Sequence, residues 1–142
     1  MIHRVPSDPS WRILVAEDEP TVAGTVERAL RSQGHEVTVV TDGSNALHHA
    51  RADLPDLILL DVDYGPAPGR DGFQVLTELR RDPLTKNIAV IIVSGVRGEA
   101  HIVAGLQLAD DYVTKPFSIA ELVARVNAVM RRASNTTHVQ SF

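Results

Sequence analysis

Four apolar residues run straight into a carboxylate at Leu57-Ile58-Leu59-Leu60-Asp61, and no other stretch constrains this chain as strongly. The run follows Pro55 and precedes a segment at 65–72 rich in Gly and Pro. A short apolar run between turn signals reads as a strand buried on both faces, hence central in a parallel sheet. In open α/β sheets ligands bind beyond the carboxyl ends of the strands. Asp61 stands at such an end, and a carboxylate taken out of water there is costly unless something pairs with it. The question is what the rest of the chain brings to Asp61.

The flanking sequence repeats the theme. Residues 1–10, with Pro6 and Pro9, show no periodicity and read as a flexible arm. A first apolar strand covers 12–16 and ends in Glu17-Asp18-Glu19. Pro20 suits the first turn of a helix. Val22, Val26, Ala29 and Leu30 follow at helical spacing, and Gly34 is placed to end that helix in a left-handed cap. Strands are expected at 37–41, 88–93 and 111–114, and helices at 44–52, 73–82, 99–108 and 119–132. Ser118 and Glu121 form a capping-box pattern before the last helix, with Phe117 and Leu122 as a hydrophobic staple. The polar residues 133–142 read as a flexible tail, which leaves one domain over 11–132. Five strands alternating with five helices predict an α/β fold, a parallel sheet with helices on both faces.

Composition narrows the function. A length of 142 residues suits one domain with one core. A net charge of −4 speaks against direct nucleic-acid binding, which calls for a basic excess. There are no cysteines, so disulfide and thiol chemistry are excluded. With neither a signal-peptide pattern nor an apolar run of membrane-spanning length, a cytoplasmic protein without membrane contact is expected.

The polar residues fall at strand ends. Glu17 and Asp18 end the first strand, Asp61 the third, Ser94 the fourth and Lys115 the fifth. If the first and third strands are neighbours at the switch point, all five meet in one cleft. Carboxylates about 4 Å apart repel by roughly 4 kcal/mol per pair at an effective dielectric of ~20. A hard divalent cation removes that penalty, and an oxygen-only donor set without His or Cys points to Mg²⁺. Lys115 and Ser94 then offer a charge and a hydroxyl to phosphoryl oxygens, and Asp61 is placed as the nucleophile that becomes an aspartyl phosphate.

The acidic pair Glu17-Asp18, Asp61 after its apolar strand, Ser94 after Ile91-Ile92-Val93, and Lys115-Pro116-Phe117 together resemble the response-regulator receiver domains of two-component signalling, over about residues 11–132. The resemblance implies a flavodoxin-like sheet of order 2-1-3-4-5 and phosphorylation of Asp61 by a sensor histidine kinase or phosphotransfer protein. It further implies Mg²⁺ held by Glu17, Asp18, Asp61 and the Val62 backbone carbonyl, with Ser94 and Lys115 on the phosphoryl group. Tyr112 matches the aromatic switch residue that turns inward with Ser94, and the Lys115-Pro116 bond is expected to be cis. The segment 109–117 with 121–125 is similar to receivers of winged-helix transcription factors. In those a face of the fourth helix, fifth strand and fifth helix forms a homodimer, and Asp110, Asp111, Glu121, Arg125 and Arg132 would supply its ion pairs. Too few residues follow Arg132 here for such a DNA-binding domain, so either a stand-alone receiver or a piece of a longer protein is expected.

Two departures stand out. The loop at 62–72 is about three residues longer than such receivers carry, and Asp63 stands two residues past the nucleophile, where it is expected to alter aspartyl-phosphate hydrolysis. No Gly caps the fourth helix near Leu106-Gln107-Leu108-Ala109, so its end is expected to be short or frayed. Asp61-Val62-Asp63 also resembles the Asp-x-Asp motif of haloacid dehalogenase-type phosphatases, but Asp110-Asp111 precedes Lys115 where that family's acidic pair follows its lysine. His48-His49 are adjacent and cannot share a helix face, so they read as surface. Arg80-Arg81 and Arg131-Arg132 read as solvated faces.

Overall fold

Two of the apolar strands, Leu57–Asp61 and Ala89–Ser94, are buried from end to end because helices cover them on both sides. The computed structural model of the chain describes residues 9–63 and 72–140, with 135–140 described by backbone alone. Its strands are β1 (Arg12–Ala16), β2 (Glu36–Val40), β3 (Leu57–Asp61), β4 (Ala89–Ser94) and β5 (Asp111–Thr114). Its helices are α1 (Pro20–Ser32), α2 (Gly43–Asp53), α3 (Gly72–Arg81), α4 (Glu99–Leu106) and α5 (Ile119–Gln140). All strand pairs are parallel and the order is β2-β1-β3-β4-β5, the flavodoxin-like arrangement expected from sequence.

Side-chain alternation along each strand divides the core in two. Ile13, Val15, Leu57, Leu59 and Ile91 pack with Val26 and Leu30 of α1 and with Leu122, Val126 and Val129 of α5. Leu14, Ala16, Ile58, Leu60, Val90 and Ile92 pack with Ala46 and Ala50 of α2 and with Val75, Leu76 and Leu79 of α3. Only a strand apolar on both faces satisfies both layers, which is why β3 and β4 are fully buried.

Local signals act as their chemistry dictates. Glu19 caps α1 by accepting from the Thr21 and Val22 amides, Pro20 opens the helix, and Gly34 lies at φ 94 just past its end. Asp42 caps α2 through Asn45 N. Ser118 Oγ accepts from Glu121 N at 3.0 Å, the N-cap half of the expected box, while the Glu121 carboxylate turns to Arg125. Phe117 packs on the same cluster as Leu122. The Lys115-Pro116 bond is cis. Gly72 opens α3 against β3: a Cβ there would lie 2.3 Å from Val62 Cα, so no side chain fits.

Three expectations need correction. The last helix does not stop at Arg132 but continues to Gln140, because no Gly or Pro interrupts 133–140 and polar composition alone does not end a helix. The fourth helix ends at Leu106 rather than Leu108, with Gln107 as its cap; it is short, and its end is bonded, since the Gln107, Leu108 and Ala109 amides donate back to Val103 and Gly105 carbonyls. Arg80 is not a solvated charge. Its guanidinium donates to the Leu108, Lys86 and Ile88 carbonyls at 2.7, 2.9 and 2.6 Å and pairs with Asp110 at 3.4 Å. The arm at 1–8 and most of the long loop after Asp63, 64–71, lie outside the described residues.

Candidate functional site

Register brings the acidic residues together. β1 and β3 are neighbours, and their last aligned pair is Ala16 with Leu60. One step further, Glu17 and Asp61 emerge side by side, 3% and 2% exposed. One oxygen each from Glu17, Asp18 and Asp61 lie within 4.8 Å of one another. On the other side β4 and β5 end in register at Ser94 and Thr114, and the Lys115 amide donates to the Ser94 carbonyl at 2.8 Å. This delivers the Lys115 side chain to the carboxylates. Its Nζ lies 3.2 Å from Glu17 Oε1 and 3.2 Å from Asp61 Oδ2. The other Asp61 oxygen, Oδ1, accepts from Asp63 N at 2.8 Å.

The electrostatics follow from that crowding. Burial, then the hydrogen bond and the charge of Asp61, push the Glu17 carboxyl up to about 7, against opposing pulls from the Glu19 amide and Lys115. Burial alone would lower the Lys115 ammonium, but Asp61 and Glu17 outweigh it and hold its pKa above the ordinary lysine value. A single ammonium thus serves two buried carboxylates with a third beside them. Such a donor set, all oxygen and over-supplied with negative charge, fits a hard divalent cation.

A pH dependence results. Glu17 binds its proton more tightly folded, at about 7, than at its ordinary 4.5. Its contribution to stability is complete below about 4.5 and is lost as pH rises through 7. Urea melts in EDTA are therefore expected to show stability falling over that window, and Glu17→Gln is expected to remove this part of the slope. A slope unchanged in Glu17→Gln would assign it to another group.

The remaining residues sit around this centre. Ser94 is fully buried, and its Oγ donates to Asp63 Oδ1 at 2.8 Å while accepting from Val96 N at 3.0 Å. Gly95 N donates to Asp63 Oδ2 at 2.5 Å. Tyr112 is turned inward, with its hydroxyl donating to the Val96 carbonyl at 2.7 Å. Its ring stands edge-on to His101, which stands edge-on to Phe73. The proposed dimer residues are paired within the chain. Asp110 accepts from Val90 N and Arg80. Arg125 bridges Asp111 and Glu121, which raises its pKa. Arg132 reaches the Asp110 carbonyl. Sequence reasoning missed where the Asp63 carboxylate points and the inward role of Asp110. The Asp-x-Asp spacing marked Asp63 as unusual without giving its partner.

The pattern at 13–127 matches the family described as response regulator receiver domain. This chain belongs to that family. Over 128 residues it is 42% identical to the transcriptional regulatory protein PrrA of Mycobacterium tuberculosis, covering 89% of this chain and 53% of PrrA. Over 124 residues it is 42% identical to the phosphate regulon transcriptional regulatory protein PhoB of Escherichia coli, covering 87% of this chain and 53% of PhoB. The chain thus spans about half the length of these relatives. Among solved structures, the receiver domain of the Francisella response regulator 1452 superposes with a TM-score of 0.78 at 35% identity, covering 86% of this chain and 98% of that one. The receiver domain of the Pseudomonas aeruginosa sensor histidine kinase PA1611 gives 0.76 at 30% identity over 86% and 98%, and that domain carries a magnesium ion coordinated in its active-site cleft. The phosphatase reading is not favoured.

Proposed function

We propose that this receiver domain is a phosphorylation-driven switch in which Asp61 is the acceptor. The observation that carries the reading is a buried carboxylate with a lysine ammonium 3.2 Å from one oxygen and two further acidic side chains close by. In the transfer, the N–P bond of a kinase or phosphotransfer-protein phosphohistidine breaks, imidazole leaving, and an Oδ–P bond to Asp61 forms; with a small acyl phosphate as donor the O–P bond breaks and a carboxylate leaves. Glu17, Asp18, Asp61 and the Val62 carbonyl would hold Mg²⁺, whose charge favours the crowded phosphoryl oxygens. Lys115 stays beside the acceptor oxygen and neutralises charge there, and Ser94 supplies a hydroxyl to a phosphoryl oxygen. The only catalysis is the domain's own phosphotransfer and hydrolysis.

The signal leaves through α4, β5 and α5. Val103 and Leu106 on α4, with Val96 before it, are exposed apolar residues on that side. Phosphate shifts this surface only by contacts that differ between two states. A homodimer through it would exchange the internal pairs of Asp111, Glu121 and Arg125 for pairs across the interface. A receiver extending over 11–132, acting in the cytoplasm and contacting neither membrane nor nucleic acid itself, completes the reading; among the described residues no helix is long and apolar enough to cross a membrane.

Intact mass after incubation with acetyl phosphate tests it. One phosphoryl adduct is expected with Mg²⁺ and none in EDTA. Steady release of inorganic phosphate from other phosphate esters would overturn the switch reading in favour of a phosphatase.

A further inference from the structure

Asp63 offers two acceptor oxygens to two donors of the β4–α4 loop. Ser94 Oγ gives its proton to Oδ1 at 2.8 Å, and Gly95 N gives its own to Oδ2 at 2.5 Å. A serine hydroxyl has one proton and a backbone amide one. Both are therefore committed, to a carboxylate whose charge makes such bonds the strong kind. One of the hydroxyl's two lone pairs is used as well, since Val96 N donates to Ser94 Oγ at 3.0 Å. The next carbonyl in the loop, that of Val96, is taken by Tyr112 at 2.7 Å. None of these bonds involves Asp61. The two-residue offset lets this happen: the Asp63 amide is tied to Asp61 Oδ1 while its side chain reaches across to β4.

We propose that Asp63 is a built-in carboxylate latch, occupying the Ser94 hydroxyl that the switch reading assigns to a phosphoryl oxygen, together with the neighbouring Gly95 amide, and holding the Ser94–Val96 loop and Tyr112 closed. The inference deepens the switch reading and rests on it for the phosphoryl half. Phosphorylation then sets a phosphoryl oxygen against the Asp63 carboxylate for the Ser94 hydroxyl, so release of the latch is part of the switch. Asp63 acts through Ser94 and is a positioning residue. Any effect of Asp63 on aspartyl-phosphate hydrolysis would run through these donors, because its oxygens face Ser94 and Gly95.

Amide hydrogen exchange on the full chain tests it, read at Gly95 and Val96 by NMR. In the unphosphorylated protein Asp63→Ala is expected to speed exchange at both by tenfold or more, and Asp63→Asn, which keeps size but loses charge and one acceptor, to speed it at Gly95. Amides of β3 and β4 should be unchanged, which shows that the variants are folded. ¹⁹F-labelled Tyr112 should shift in Asp63→Ala from one buried environment to an averaged one. With acetyl phosphate and Mg²⁺, the adduct on Asp63→Ala should restore protection. Wild-type protection at Gly95 and Val96 in both unphosphorylated variants would overturn the latch, whatever the phosphorylation result. If no variant or wild type takes a phosphoryl group, the switch reading fails, while the exchange comparison still decides whether Asp63 holds the loop.

Discussion

Asp61→Asn is expected to take no phosphoryl group from acetyl phosphate under conditions in which the wild type takes one. The carboxamide is close in size and leaves the buried position filled, but its nitrogen is a poor nucleophile and its oxygen carries no charge. The loss should therefore be complete rather than partial. The same change removes the charge of one of the three carboxylates whose oxygens gather within 4.8 Å, so the stabilisation that magnesium confers should shrink with it. At a free magnesium concentration ten times the dissociation constant, a one-site ligand raises folding stability by about 1.4 kcal/mol. Thermal melts with and without Mg²⁺ should show such an increment in the wild type and a smaller one in Asp61→Asn. A persistent adduct in Asp61→Asn would move the acceptor to another carboxylate, with Glu17 and Asp18 of the same cluster and Asp63 two residues along the chain as the candidates.

That experiment also weighs Lys115. Its ammonium lies 3.2 Å from both Glu17 and Asp61. Taking Asp61's charge away leaves Glu17 as its buried partner, and it removes one of the causes that push Glu17 up to about 7. The pH dependence in EDTA should accordingly shift toward lower pH in Asp61→Asn. The charges of this site are coupled, and one substitution reads out on both the chemistry and the titration.

How much of this could be seen in the chain alone depends on distance along it. The fold was legible because each strand is a short apolar run and each helix has its own caps: Glu19 and Gly34 for α1, Ser118 for α5. The gathering of Glu17, Asp61 and Lys115 was legible too, since parallel topology sends every strand's carboxyl end to one edge and the polar residues stand at those ends. What stayed hidden are contacts between long side chains and distant backbone. Asp63 reaches residues about thirty positions on, and Arg80 reaches Leu108. Charge type predicts solvent for both, and only the packed geometry reveals their partners. Asp110 was read as interface charge on the same logic, yet its carboxylate accepts from Val90 N at the start of β4. The end of α5 was misplaced for another reason: helix ends announce themselves by breakers and caps, and 133–140 contains neither.

Arg80→Ala is the substitution expected to cost the fold most among those at charged residues outside the site. The guanidinium leaves the end of α3 and meets two other segments, the one leading into β4 and the one between α4 and β5, at their backbone carbonyls. It donates to Ile88 O at 2.6 Å, Leu108 O at 2.7 Å and Lys86 O at 2.9 Å, and it stands beside Asp110. Its side chain is 19% exposed, so these bonds are largely shielded from water. Burial lowers its pKa, with the charge and hydrogen bond of Asp110 opposing. Hydrogen bonds from a charged donor contribute roughly 1.5–3 kcal/mol each, and carbonyls left without a donor add a penalty of similar size. Water can replace part of what is lost, so a net loss of about 2–4 kcal/mol is expected from urea melts of Arg80→Ala. Arg80→Lys should recover less than half of it, because one ammonium cannot reproduce the planar fork that spans several carbonyls. A loss below about 0.5 kcal/mol, the scale of an ordinary surface change, would return Arg80 to the solvated face that its sequence suggests. The α4–β5 junction hangs on this anchor, and that junction carries Tyr112. Arg80→Ala should therefore also broaden the Tyr112 environment seen by ¹⁹F NMR, whereas Arg81→Ala, one residue along the same helix, should leave it sharp.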